Sequence, residues 1–206
     1  MATEFTLGAG ASCSDGPCGE VTRAILDPAA RTVTHLVIEP RHHQERGRLV
    51  PVGLVETAAG QIGLRCTLAE FDQLDPAEEA ILVEGMDYGG GFGSVESVQG
   101  YGDFGSMGVG ASLGRHDPIV ITDAVPEGES EAARHERIHA VDGEIGQLKG
   151  FIVDSADHRV SHVLLREGHL WGRKEVAIPA SAVASFDDGI WLNITKKQVE
   201  ELPTRS

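Results

Sequence analysis

The chain states one pattern twice. A displacement of 127 positions lays Asp15-Gly16 on Asp142-Gly143, Gly19 on Gly146, Ile25 on Ile152, Asp27 on Asp154, Ala29 on Ala156, Val33 on Val160 and His35 on His162. These are 8 identities in the 24 positions from 15 to 38, without a gap, and most of the remaining pairs are conservative: Val21 with Leu148, Leu26 with Val153, Leu36 with Val163, Ile38 with Leu165. A repeat this long is a duplicated domain, not a stack of short solenoid units. The two copies must therefore share a backbone, and each tests the reading of the other.

Duplication divides 206 residues into two small units, each of roughly 70–90 residues with a thin core. Aromatic residues make up only 5% of the chain, so that core has to be built from Val, Ile, Leu and Ala. The net charge of −15 repels phosphate backbones, and direct nucleic-acid binding is not expected. No apolar run approaches the roughly 18 residues that cross a bilayer. Met1-Ala2-Thr3-Glu4-Phe5 carries neither a basic n-region nor an apolar h-region. The expectation is a cytoplasmic protein with no membrane span.

The order of elements is the same in both copies. Glu20–Leu26 and Gln147–Val153 read as strands, followed by turns at Asp27–Ala30 and Ser155–His158. Arg31–Ile38 and Arg159–Arg166 read as two-sided strands. A polar loop leads in each case to a strand ending in Pro51 or Pro179, and a further strand follows at Gln61–Cys66 or Ile190–Ile194. Thr67-Leu68-Ala69-Glu70 and Thr195-Lys196-Lys197-Gln198 are capping boxes that open short helices stopped by Pro76 and Pro203. The alternation nominates Val21, Ile25, Val33, Val37 and Leu64 as core, with Leu148, Ile152, Val160, Leu164 and Leu192 in the second copy.

Between the copies lies different material. Positions 85–114 hold 11 glycines in 30 residues, a composition that buries too little to offset its ordering entropy. The expected organisation is a first domain over 1–80, a Gly-rich flexible linker over 81–117, and a second domain over 118–206.

These residues resemble the PRC-barrel family, named for the photosynthetic reaction-centre H subunit. The likeness lies in Asp-Gly-x-x-Gly (Asp15 to Gly19, Asp142 to Gly146), the strand, Asp-x-x-x-x-x-Val-x-His, and the Pro-ended strand; the stretch from Val163 to Pro179 is similar to that of stand-alone, two-copy actinobacterial members. The resemblance implies an all-β protein: two tandem small SH3-like β-barrels, each with a short C-terminal helix. It also implies docking rather than chemistry. The family includes a cap on a membrane photosystem and a domain of a ribosome-maturation factor that binds a ribosomal protein.

Several residues are candidates for function. Cys13, Cys18 and Cys66 lack the paired spacing of a zinc site, and each aligns with an apolar residue of the other copy: Ala140, Ile145 and Ile194. Small buried hydrophobes are the economical reading, so neither metal nor cofactor is expected; a metal- or redox-responsive sensor built on these cysteines and the histidines is the alternative. His35 and His162 hold matching positions and are expected to be half-buried and hydrogen-bonded across the sheet, with a pH-sensitive contact as the alternative. The loops after those strands concentrate positive charge. Arg41, His42, His43, Arg46 and Arg48 in one, and His169, Trp171, Arg173 and Lys174 in the other, form a candidate docking surface for an anionic partner. The competing reading is that charged loop tips protect sheet edges. No nucleophile–base or phosphate-cradle pattern is present, so an enzyme is not expected.

The sequence therefore points to a non-enzymatic docking or assembly adaptor for a protein partner. Its barrels would engage one partner twice or pair with each other as a pseudo-dimer, with homodimerisation open. The alternative is a ribosome-maturation-type factor that binds a basic ribosomal protein or RNA.

Overall fold

The two Asp-Gly turns each join a short strand to a twelve-residue one, and the rest of each repeat is laid against that long strand. A computed structural model describes residues 2–40, 47–58, 61–82, 119–167, 175–186 and 189–205. The first repeat runs β1 (Ala2–Thr6), β2 (Gly10–Cys13), β3 (Gly16–Asp27), β4 (Thr32–Glu39), β5 (Arg48–Pro51), β6 (Val55–Ala58), β7 (Gln61–Leu64) and α1 (Leu68–Phe71). After β8 (Glu78–Leu82) and β9 (Ile119–Asp123), the second repeat runs β10 (Ser130–Ala133), β11 (Arg137–Ala140), β12 (Gly143–Asp154), β13 (Val160–Glu167), β14 (Glu175–Pro179), β15 (Val183–Ser185), β16 (Ile190–Leu192), α2 (Lys196–Glu200) and β17 (Thr204–Arg205). The chain is predominantly β, in two curled sheets. Their orders are β5-β4-β3-β2-β7-β6 and β15-β16-β11-β12-β13-β14-β17.

The opening strand of each repeat completes the sheet of the other. β1 runs antiparallel along β12 with Thr3 opposite Val153 and Phe5 opposite Phe151. β10 runs antiparallel along β3 with Ser130 opposite Leu26 and Ala132 opposite Ala24. A displacement of 127 converts one register into the other, so the exchange is reciprocal about a pseudo-twofold axis. Hydrogen bonds repeat across it: Leu7 N–H donates to Lys149 O at 2.8 Å and Arg134 N–H to Thr22 O at 3.0 Å. Equivalent turns also meet, with Val33 N–H donating to His158 O at 3.1 Å and Val160 N–H to Arg31 O at 2.8 Å.

Residues Met1–Glu78 and Asp123–Ser206 accordingly form one compact unit. A single apolar cluster takes Phe5, Val21, Leu36 and Ile62 from one repeat and Phe151, Val163, Leu165 and Ile190 from the other. Two thin, separate cores were the expectation from length. Exchange of strands replaces them with one larger core, in which a greater share of apolar surface is removed from water. The pair β8–β9 is a two-stranded sheet largely within a second unit, Glu79–Thr122. Most of the expected linker, residues 83–117, lies outside the described residues.

Nine of the ten nominated core residues are buried. The exception is Ile152, which is half-buried. Its counterpart Ile25 is covered by Val37 and Ala77, with Leu49 and Val125 packed against them. The histidines also depart from expectation. Both are half-buried; His35 Nδ1 lies 3.1 Å from Thr34 Oγ1 and 3.9 Å from Glu129 Oε2, and His162 Nδ1 lies 3.2 Å from Ser161 Oγ, so each pairs with the residue before it and His35 also faces a carboxylate of the other repeat. The cause is a β-bulge at the same place in each repeat. Ile25 opposes His35 and Leu26 opposes Val33, which leaves Thr34 as the extra residue; Ser161 is the extra residue in β13. A bulge turns successive side chains toward one another and re-aims the strand.

Both capping boxes form in full. The Asp of each Asp-Gly turn adds a third bond: Asp15 Oδ1 accepts from Leu68 N–H, and Asp142 Oδ1 from Lys196 N–H, each at 2.8 Å. The motif that marks the repeat thus ties the turn before the long strand to the first turn of the closing helix, and satisfies a helix N–H that has no intrahelical partner.

Candidate docking site

The hairpin loops nominated for docking connect β4 to β5 and β13 to β14, equivalent places in the two sheets. Arg41, His42, His43, Arg46, His169, Trp171, Arg173 and Lys174 lie outside the described residues. Arg48 is described. It pairs with Ile38 in the sheet, and its guanidinium donates to Leu74 O at 3.2 Å, so it ties β5 to the segment after α1.

The three cysteines, far apart in sequence, come together. Parallel pairing of β2 with β7 carries Cys66 to Cys13, with the sulfurs 4.0 Å apart, and Cys18 adjoins Cys13. All three are buried free thiols. Burial, reinforced by the neighbouring Cys18 and Cys66, pushes the Cys13 thiol far above its ordinary range, and burial also raises Cys18. A protonated thiol is a poor nucleophile and a poor ligand. Among the described residues, no group of three or more His, Cys, Asp or Glu is arranged to hold a metal ion. The counterparts support a packing role: Ala140 is buried, and Ile145 and Ile194 pack on the core.

A surface not signalled by the motifs stands out on the second repeat. In β11 and just beyond it, Ile138 and Ala140 point inward while His139 and Val141 point outward. In β16, Ile190 and Leu192 point inward and Trp191 outward. β11 and β16 pair in parallel with His139 opposite Trp191, and the two rings stack with centroids 4.4 Å apart and planes 18° from parallel. Val141 and Trp191 are 69% and 45% exposed, and they are the exposed large hydrophobics among the described residues. Both therefore lie on one outward face.

The first repeat has the same backbone there and different chemistry. Ser14 N–H donates to Cys66 O at 2.9 Å as Val141 N–H donates to Ile194 O at 3.1 Å. Ser12, Ser14 and Gly63 occupy the positions of His139, Val141 and Trp191. The sheet thus forms without the apolar residues, and their presence on one copy alone has no folding requirement behind it.

His139 also lines a cleft of about 580 Å³ with Glu129, Glu131, Glu136, Arg137 and Gly189. Gly189 has φ +116°, and a Cβ there would sit 3.6 Å from Trp191 Nε1 and 3.9 Å from Glu136 Oε1. Its missing side chain keeps the indole and the carboxylate on one open floor. Arg137 is paired with Glu144 at 3.3 Å. Glu131 lies 3.5 Å from Arg23, and Glu129 accepts from the Thr34 hydroxyl at 2.7 Å. Glu129, Glu131, Glu136 and Glu144 outnumber Arg137 and Arg23, so the surroundings of the cleft are acidic on balance.

No family model matches the chain, and no curated protein matches it.

Proposed function

We propose that this protein is a non-enzymatic adaptor of the cytoplasm, built on the tandem PRC-barrel plan that its motifs resemble, and that it docks a protein partner. The observation that carries this reading is the exposed His139–Val141–Trp191 face, present in one repeat and replaced by Ser12, Ser14 and Gly63 at the equivalent place in the other. Partly exposed tryptophans on rigid elements are the side chains that most often anchor protein interfaces. Strand exchange supports the reading too, because a face carried on one shared core is held in place before any partner arrives. The hairpin loops bearing Arg41 to Arg48 and His169 to Lys174 are a second candidate contact on the same scaffold.

Installing the first repeat's residues tests it. The triple variant His139→Ser, Val141→Ser, Trp191→Gly should keep the wild-type circular dichroism spectrum. Partners captured at native expression, then purified and re-bound directly, should lose affinity for it by at least about tenfold. Unchanged affinity for every purified partner would remove the reading.

A ribosome-linked role with a basic ribosomal protein is the second reading. The acidic cleft and the net charge of −15 favour it over RNA contact. Co-sedimentation with ribosomal subunits, absent when the triple variant is used, is the result it requires.

A further inference from the structure

The chemistry around Trp191 narrows the partner. We infer that the His139–Trp191 face accepts an arginine-bearing extended segment of a protein, with the guanidinium lying against the indole and reaching the Glu136 carboxylate across Gly189. This rests on the docking reading and specifies its ligand.

Two features converge on a planar cation. Trp has the strongest aromatic quadrupole for cation binding, and guanidinium stacks flat on it while keeping its fork of donors free for carboxylates. His139 covers part of the indole at 4.4 Å, and the 45% exposure of Trp191 leaves the remainder open to a ligand. The acidic side of the site is adjacent: Trp191 Nε1 and Glu136 Oε1 both fall within 4 Å of the point a Gly189 Cβ would occupy. Glu129 and Glu131 continue the same cleft beyond Glu136. Phosphate-bearing or acidic segments meet like charge at each of these positions, so RNA and anionic peptides are disfavoured here. A purely apolar segment would gain the Trp191 and Val141 contact but nothing from the carboxylates.

The chain contains two tryptophans, so the emission change is assigned to Trp191 by repeating the titration in Trp191→Phe, with Trp171 left in place. The full-length protein is titrated with three nonapeptides of one Gly/Ser frame that carry two arginines, two glutamates or two norleucines. The arginine peptide should perturb Trp191 emission and bind. Affinity should fall about tenfold in Trp191→Ala, fall several-fold in Glu136→Gln, and be largely kept in Trp191→Phe. Calorimetry follows binding where the indole is gone. Glu136→Gln keeps an acceptor for Ala133 N–H, which Glu136 Oε2 receives at 2.8 Å, and an unchanged circular dichroism spectrum and unfolding midpoint are required before its affinity is read. If the norleucine peptide binds as tightly and with the same dependence on Trp191, the face is an apolar dock; the adaptor reading then stands and the cation inference falls. Arginine-peptide binding that is indifferent to Trp191→Ala is diffuse attraction to an acidic chain and overturns the site. Binding by the glutamate peptide overturns it as well.

Discussion

Phe5 and Phe151 oppose each other across the exchanged strands, one from each repeat, and both are fully buried. At the equivalent crossing the opposed residues are Ala132 and Ala24, also buried. Large faces large and small faces small, so the repeats have diverged in volume at these crossings while keeping one backbone register. Pairing within a repeat would instead set Phe5 beside Ala24 and Ala132 beside Phe151. The repeats are thus no longer interchangeable at the centre of the molecule. Phe5→Ala and Phe151→Ala should each cost about 3–5 kcal/mol, and the double variant less than their sum, because both truncations open one shared cavity. Urea unfolding midpoints measure both quantities.

One core implies one transition. Val33 and Val160, buried counterparts in the same cluster, stand next to the meeting of the two turns. Val33→Asp or Val160→Asp should destabilise the whole unit by roughly 3–5 kcal/mol, the cost of a buried unpaired carboxylate. Calorimetry should show the main transition moving as a single peak in either variant, not one half melting while the other stays. Gly150→Ala should act the same way by a different route, since a Cβ there collides with the Phe5 carbonyl and dislodges β1 from β12. Two separately shifting peaks would mean that the strands are not exchanged in solution.

Much of this architecture was legible because it is local. The long strands, the Asp-Gly turns and both capping boxes are set by residues a few positions apart, and the duplication checked each reading; the bulges at Thr34 and Ser161, which the alternation does not register, were missed. Strand exchange was not legible. The pattern of Ala2–Thr6 says that it can pair, but the choice between β3 and β12 is made by distant volumes such as Phe151 and Ala24. The cysteine cluster was hidden for the same reason, since only the parallel β2–β7 pairing brings Cys66 to Cys13. The candidate face left a trace that motifs cannot register. Trp191 against Gly63 and His139 against Ser12 are departures from the repeat, visible only where the two copies disagree.

The cysteine cluster makes a kinetic prediction. Cys13, Cys18 and Cys66 are buried and their neighbourhood disfavours thiolate at Cys13 and Cys18. Labelling by a thiol–disulfide reagent at neutral pH should be slow in the native protein and should reach all three thiols on unfolding. Cys66→Ala should not speed labelling of Cys13 unless it also loosens the core, which the unfolding midpoint would report. Rapid native labelling of Cys13 would contradict the packing role.

The two helix caps differ in one atom type, and acid should separate them. Glu70 accepts from the Thr67 N–H at 2.8 Å, and its Oε2 also lies 2.9 Å from the Thr67 hydroxyl; these bonds hold its carboxyl below the ordinary range. Gln198 occupies the same place in the second repeat, with its Oε1 accepting from Thr195 N–H at 2.9 Å, and it does not titrate. A carboxylate whose folded pKa is depressed contributes stability that is fully present above its unfolded value, about 4.3. That contribution is lost as pH falls through the lower folded value. Acidification from pH 6 to below about 4 should therefore increase hydrogen exchange at the Thr67 amide relative to the Thr195 amide. Glu70→Gln should abolish the difference, whereas Gln198→Glu should confer the acid sensitivity on α2. Equal responses of the two amides across that range, in a protein that remains folded, would show that the Glu70 carboxylate is not what secures α1.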